Sequence, residues 1–222
     1  MSQISIAFST EGNTDVRLLE GILQRTFISV GGECTSQIEV IDPIISVNKE
    51  HGNDFVTQME SCAKKAFANG AMVFCVHVDA DSANDQLVIT NKIKPLSDFF
   101  AAHPDSDICK ILVSIIPVHM SESWMLADKE LLKEEIGTDK TDLELGLNRP
   151  PESYADPKSA IEAAIRIARQ NMVRRRRHEL KISDLYRSIG QKIELHKLEQ
   201  LPSFLKFKES VRDSYKSLNY LH

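Results

Sequence analysis

Apolar residues crowd Ile4 to Phe8, give way to the polar turn Ser9-Thr10-Glu11-Gly12-Asn13, and return at helical spacing as Val16, Leu18, Leu19, Ile22, Leu23 and Phe27. A buried strand followed at once by an amphipathic helix accounts for that change of period. Thr14 is placed to N-cap the helix, and Gly31-Gly32 ends it. The β-branched stretch Gln37 to Ile45 predicts a second strand, and Asp54 to Asn69, closing on Gly70, a second helix. Ala71 to Val78 reads AMVFCVHV, apolar almost throughout, as expected of a central strand covered by helices on both faces. A helical stretch from Ile89 to Ala102 follows, then a fourth strand at Lys110 to Pro117, then a helix opening at Ser121 to Asp128.

The order β-α-β-α-β-α-β-α predicts an α/β fold of the Rossmann-like kind, a mostly parallel sheet of about four strands between helices. Residues 137–157 hold Gly, Asn, a Pro-Pro pair and several acids, and read as a linker. Beyond it, 158–222 carries helical periodicity at Lys158 to Arg169, His178 to Ile189 and Leu201 to Leu218, the last beginning near Pro202. The chain thus divides into an α/β domain at 1–136, a linker at 137–157 and a helical C-terminal appendage at 158–222.

Composition narrows the class. The apolar runs span about eight residues, short of the ~20 needed to cross a bilayer, so no membrane span is expected. The first residues lack the basic and apolar regions of a signal peptide, which points to the cytoplasm. Cys34, Cys62, Cys75 and Cys109 are too far apart for a C-x-x-C pair and are expected as free thiols. The chain has 27 Lys+Arg and 32 Asp+Glu, a net −5, split unevenly. Residues 1–120 hold 8 basic and 15 acidic side chains, residues 121–222 hold 19 and 17. An acidic half and a faintly basic half suggest different tasks.

Open parallel sheets bind ligands beyond the carboxyl ends of their strands, and the acids collect there. Glu11 follows the first strand, Asp79 and Asp81 the third, and Glu122 the fourth, with Asp15 one helical turn beyond Glu11. Taken singly, a D-x-D is common in turns, and Glu11 and Asp15 suit the positive end of a helix dipole. Together, with no balancing Lys or Arg nearby in sequence, they point to a hard cation, Mg²⁺ or Mn²⁺.

Those residues carry a resemblance. A first strand ending in Glu11-Gly12-Asn13-Thr14-Asp15 and a later apolar strand ending in Val78-Asp79-Ala80-Asp81 resemble the Toprim domain of type IA and type II topoisomerases, primases and OLD-type nucleases. Glu122-Ser123-Trp124-Met125-Leu126-Ala127-Asp128 is similar to a segment of small stand-alone bacterial Toprim-like proteins linked to anti-phage defence. The resemblance implies metal-dependent cleavage of nucleic acid, with Glu11 as general acid/base or metal ligand, Asp79 and Asp81 on Mg²⁺, Asp15 at a second metal and Glu122 as a further ligand. It also implies an ABC- or SMC-like ATPase partner, with a homo-oligomer as a further expectation. Where many Toprim domains read D-x-D-x-D, this chain has Ala83 at the third position, which with its size separates it from topoisomerases.

The run Arg174-Arg175-Arg176-Arg177-His178, preceded by Arg166 and Arg169, reads as a nucleic-acid or partner contact, or else as a solvated face balancing the acidic half. His77 reads as a core or sheet-face residue, His119 as a neighbour of the acidic edge able to orient water or phosphate, and Trp124 and Met125 as packing. Two other functions stay open: a non-catalytic Toprim-like sensor or partner subunit, and a nucleotide-sugar glycosyltransferase holding a diphosphate through D-x-D and a metal.

Overall fold

The computed structural model describes residues 2–49, 54–104, 107–171 and 179–221. The alternation seen in the sequence produces a parallel sheet. Its first strand comes in two pieces, β1 (Ser2–Ile4) and β2 (Ile6–Ser9), and so does its second, β3 (Ile38–Val40) and β4 (Ile45–Ser46). The piece β1 pairs in parallel with β3, while β2 lies between β4 and β5 (Val73–His77), and β5 pairs with β6 (Ile111–Ile115). Expected as single strands, both are interrupted for visible reasons. Ser5 turns its hydroxyl to the Gly70 carbonyl at 2.6 Å, and Asp42-Pro43 breaks the ladder because proline has no N–H to donate.

Strand alternation sends successive side chains to opposite faces, and two cores result. Ile6, Phe8, Val73, Cys75, Val113 and Ile115 face α1 (Asn13–Gly31). Ala7, Phe74 and Val76 face α2 (Phe55–Ala68) and the helical run after β5. This double burial explains the near-continuous apolar character of β5. The run after β5 comprises α3 (Gln86–Val88), a π-helical turn (Ile89–Ile93) and α4 (Lys94–Ala102).

The chain beyond β6 departs from the expected division. Short helices α5 (Glu122–Met125), α6 (Lys129–Ile136) and α7 (Asp142–Leu145) lead to α8 (Pro157–Ala168), α9 (Ile182–Lys192), α10 (Leu195–Leu198) and α11 (Pro202–Ser217). Leu145, Leu147 and Tyr154 from the expected linker, and Ile161, Tyr186, Ile189, Phe204, Phe207 and Tyr215 from the expected appendage, share one buried cluster with Leu18, Phe27 and Trp124. The C-terminal helices are therefore not an appendage: they cover the face of the sheet on which α1 lies. Sequence periodicity marks their apolar stripes but not which surface those stripes meet. Trp124 settles among them as a packing residue, its Nε1–H donating to Ser203 Oγ at 2.8 Å and its ring 5.2 Å from Phe204. Met125 is equally buried.

No helix among the described residues is long and apolar enough to cross a membrane. All four cysteines are free, three of them buried and Cys34 half-buried.

Candidate functional site

The chain leaves β2 through α1 towards β3 and β4 on one side, then crosses by α2 to β5 on the other. The carboxyl ends of β2 and β5 thus flank the point where strand order reverses, the usual crevice for a ligand in such sheets. Glu11 emerges from β2 at that point, Asp79 and Asp81 emerge from β5, and Glu122 stands just beyond β6.

The start of α1 differs from expectation. Gly12, not Thr14, is its N-cap, and Asp15 reaches back so that its Oδ2 accepts the Gly12 N–H at 3.0 Å. Asp15 Oδ1 accepts the Ser121 hydroxyl at 2.8 Å. The helix-start role weighed for Asp15 is thus present, since its carboxylate satisfies an orphan N–H at the positive end of the dipole.

Ser121 joins the exits of the strands. Its backbone N–H donates to Asp79 Oδ1 at 2.9 Å while its hydroxyl holds Asp15, and the residue is wholly buried. His77, the last residue of β5, lies beneath the same carboxylates, fully buried, with Nε2 3.2 Å from Asp79 Oδ1 and Nδ1 4.0 Å from Asp15 Oδ2. Nδ1 has no hydrogen-bond partner. Burial pushes the imidazole pKa down, but the bond to Asp79 and the charges of Asp79, Asp15 and Glu11 outweigh it, so the net shift is upward. The core placement read for His77 is correct, and it carries a polar role besides.

Two residues with left-handed backbone lie back to back here, Asp81 at φ 51° and His119 at φ 59°. The Asp81 N–H donates to the His119 carbonyl at 3.0 Å and the His119 N–H to the Ser82 carbonyl at 3.0 Å. Each such residue costs on the order of 1–3 kcal/mol, tolerated where surrounding bonds fix it. These two bonds tie the loop after β5 to the loop after β6, with Asp81 exposed at the rim.

Glu122 sits deeper than expected. It is 6% exposed, and Tyr186 on α9 donates its hydroxyl to Oε1 at 2.5 Å. Burial first, and then the Glu122 bond and charge, push the tyrosine pKa well above its ordinary value, so the phenol remains a donor. Glu122 is thereby engaged with a C-terminal helix.

The absence of nearby cations, inferred from local sequence, is overturned. Lys92 Nζ is 3.6 Å from Glu11 Oε1, and Lys49 lies in the field of Glu11 and Asp15. Both lysines stand over the Phe55 ring, 6.0 Å from its centroid for Lys49 and 5.7 Å for Lys92. They come from the loop after β4 and from the π turn after the D-x-D, so only the fold assembles them. Among the described residues no group of three or more His, Cys, Asp or Glu is drawn together as a ready-made metal cage.

No protein-family model matches this chain, and no curated protein or solved structure matches it either. The Toprim resemblance accordingly stands on the motifs quoted above.

Of the basic residues singled out, Arg166 is exposed in the last turn of α8 and lines a groove with Lys158, Glu162 and Lys181, a mixed rather than a purely basic surface. Arg169, half-buried, caps α8. Arg174, Arg175, Arg176, Arg177 and His178 lie outside the described residues.

Proposed function

We propose that this chain is a divalent-metal-dependent phosphodiesterase acting on nucleic acid, with Glu11, Asp79 and Asp81 as the residues that hold Mg²⁺ or Mn²⁺. The observation that carries the reading is that the exits of β2 and β5, which flank the reversal of strand order, bear Glu11, Asp79 and Asp81, with Asp79 held by both His77 and Ser121. The donor set is all oxygen, which suits a hard cation. When bound, such an ion would supply an activated water and stabilise the leaving oxygen of a phosphodiester. The protein's own part is to fix the carboxylates. His77 and Ser121 both engage Asp79 Oδ1, which leaves Oδ2 available to a ligand. Asp81 and Glu11 stand exposed at the rim, where they can close on an incoming ion. An ATPase partner of the ABC or SMC-like type, and a role in anti-phage defence, belong to this proposal through the resemblance.

A second reading, a non-catalytic binding subunit, draws on the hydrogen bonds that Asp15 and Glu122 already make to Gly12, Ser121 and Tyr186. Carboxylates so engaged act as struts as well as ligands. The test is cleavage of single- and double-stranded DNA and of RNA with Mg²⁺ or Mn²⁺, alongside Mn²⁺ binding followed by electron paramagnetic resonance. Asp79→Asn keeps the side-chain shape and is expected to lower cleavage by about 10²-fold or more and to weaken Mn²⁺ binding. Undiminished cleavage in Asp79→Asn, or a wild-type chain that binds no Mn²⁺, overturns the metal-dependent assignment. Mn²⁺ binding without cleavage favours the second reading.

A further inference from the structure

Lys49 is poorly explained as a structural charge, and Lys92 is held by a single part-exposed pair with Glu11. Lys49 is half-buried and makes no hydrogen bond or ion pair to a described residue; its surroundings are the Phe55 ring, the charges of Glu11 and Asp15, the Cys62 thiol and the like charge of Lys92. Burial lowers its pKa, with Glu11 and Asp15 acting against burial and Lys92 acting with it. Holding two ammonium groups around one aromatic ring costs mutual repulsion, which the ring's π face offsets only in part. An anion between or beside them would remove that cost.

The way Lys92 is presented points the same way. Residues 86–102 form one helical run in which only Ile89–Ile93 is π-helical, and Lys92 lies in that turn. A π turn is a less favourable backbone than the α-helix it interrupts, and such turns concentrate at functional positions because they re-aim a side chain. Here the re-aimed side chain is the one that reaches Glu11 at 3.6 Å. Opposite it, Phe55 is the first residue of α2, capped by Asp54, so the ring is fixed by a helix start rather than by a mobile loop.

We infer that Lys49 and Lys92, braced by Phe55, contact the backbone phosphates of a nucleic-acid strand where it leaves the carboxylates Glu11, Asp79 and Asp81. The inference rests on the proposed function for the identity of the strand. It adds where the strand runs: over the edge formed by Lys49, the start of α2 and the π turn, on the α2 side of the sheet. It also assigns a job to the cations that the acidic centre itself does not use. Phosphate held by two lysines is recognised without regard to base, so the site should accept strands of any sequence.

The experiment is binding of a labelled single-stranded oligonucleotide, DNA and RNA in separate arms, in EDTA so that cleavage cannot intervene. Salt is varied from about 50 to 200 mM, a range over which phosphate contacts show as a slope of log affinity against log salt. Lys49→Gln and Lys92→Gln are each expected to reduce the slope by about 0.7, and the double variant by about 1.4 with a roughly tenfold or greater loss of affinity at the lowest salt. Lys49→Arg and Lys92→Arg keep the charge and are expected to keep the slope. A mononucleotide supplies one phosphate and is expected to bind at least about tenfold more weakly than the strand.

An unaltered slope in the double variant, a wild-type chain that binds no strand, or a mononucleotide that binds as tightly as the strand overturns the inference. Failure of the proposed function looks different. A wild-type chain that cuts nothing with Mg²⁺ or Mn²⁺, yet loses salt slope with the two lysines, removes the catalytic reading and leaves the strand path standing. Cleavage that depends on Asp79 with no change of slope does the reverse.

Discussion

Gly190 on α9 is the position where the integration of the C-terminal helices can be tested by a single methyl group. A Cβ built on it would stand 2.2 Å from the Leu18 carbonyl oxygen and 2.9 Å from the Leu18 Cα, all backbone atoms of α1. The contact is reciprocal, since a Cβ on Gly21 would stand 2.8 Å from the Gly190 oxygen. Neither side has a flexible group to move, so Gly190→Ala must push α9 away from α1 by about 1 Å, an overpacking cost near ~3 kcal/mol. The Arg25 guanidinium donates to the Gly190 carbonyl at 2.7 Å and to the Ile193 carbonyl, and displacing α9 weakens these bonds by about 1 kcal/mol. Alanine's better helix propensity returns about 1 kcal/mol. The net loss is about 3 kcal/mol, which for a chain of this size lowers the Tm by roughly 6–12 °C. Thermal and urea unfolding followed by circular dichroism measure it, and one cooperative transition is expected for both proteins. A Gly190→Ala chain that melts with the wild type, or that loses part of its helical signal in a separate early step, would refute the close α1–α9 packing and restore the idea of an appendage.

The remaining expectations are briefer. Tyr186→Phe leaves the buried Glu122 carboxylate without its phenolic donor and should cost about 1–3 kcal/mol in urea unfolding; an unchanged midpoint would remove the Tyr186–Glu122 bond from the account of the site. Burial raises the Cys109 thiol pKa from 9.0 to about 12, so the fold favours the neutral thiol. Stability from this source is complete below about pH 9 and is lost as pH rises towards the folded value, because the unfolded thiol ionises first. The urea midpoint should therefore fall less steeply between about pH 9 and 11 in Cys109→Ala than in the wild type, and parallel profiles would contradict the shift.

The parts of the fold that were legible in the sequence are those set by local period. The apolar β5 and the stripe along α1 declare themselves because each repeats within a few residues. Pro202 opening α11 follows from ring chemistry at a helix start, and the helix expected from Asp54 begins one residue later, with Asp54 as its cap. The carboxylates Glu11, Asp79, Asp81 and Glu122 were legible for a related reason: strand-end position can be counted along the chain. What stayed hidden depends on contacts between distant segments. Ser121 gives no motif, yet it links Asp15 to Asp79 across 106 and 42 residues of chain. Lys49 and Lys92 lie far apart in sequence and meet only over Phe55, which is why the acids looked free of cations. The C-terminal helices looked separable because a stretch rich in Pro, Gly and acids resembles a linker whether or not Leu145, Leu147 and Tyr154 are buried within it.

The charges around the strand exits fall into two groups with different consequences. Asp15, His77, Asp79 and Ser121 form a floor joined through the Ser121 bonds to Asp15 and Asp79 and the His77 contact with Asp79, so loss of Ser121 or Asp79 leaves a neighbour unsatisfied. Glu11 and Lys92 form a rim. At 3.6 Å a unit pair would be worth on the order of 4 kcal/mol at an effective dielectric constant near 20. Both side chains are 36% exposed, however, and water together with side-chain entropy reduces the net worth of such a pair to about 0–1 kcal/mol. The rim pair can therefore separate at little cost, so that under the proposed function Glu11 is free to turn to an ion and Lys92 to a phosphate. Under the proposed function, an interlinked buried base and a weakly paired exposed rim would let the site take up a cation and an anion together, as cleavage of a phosphodiester strand requires.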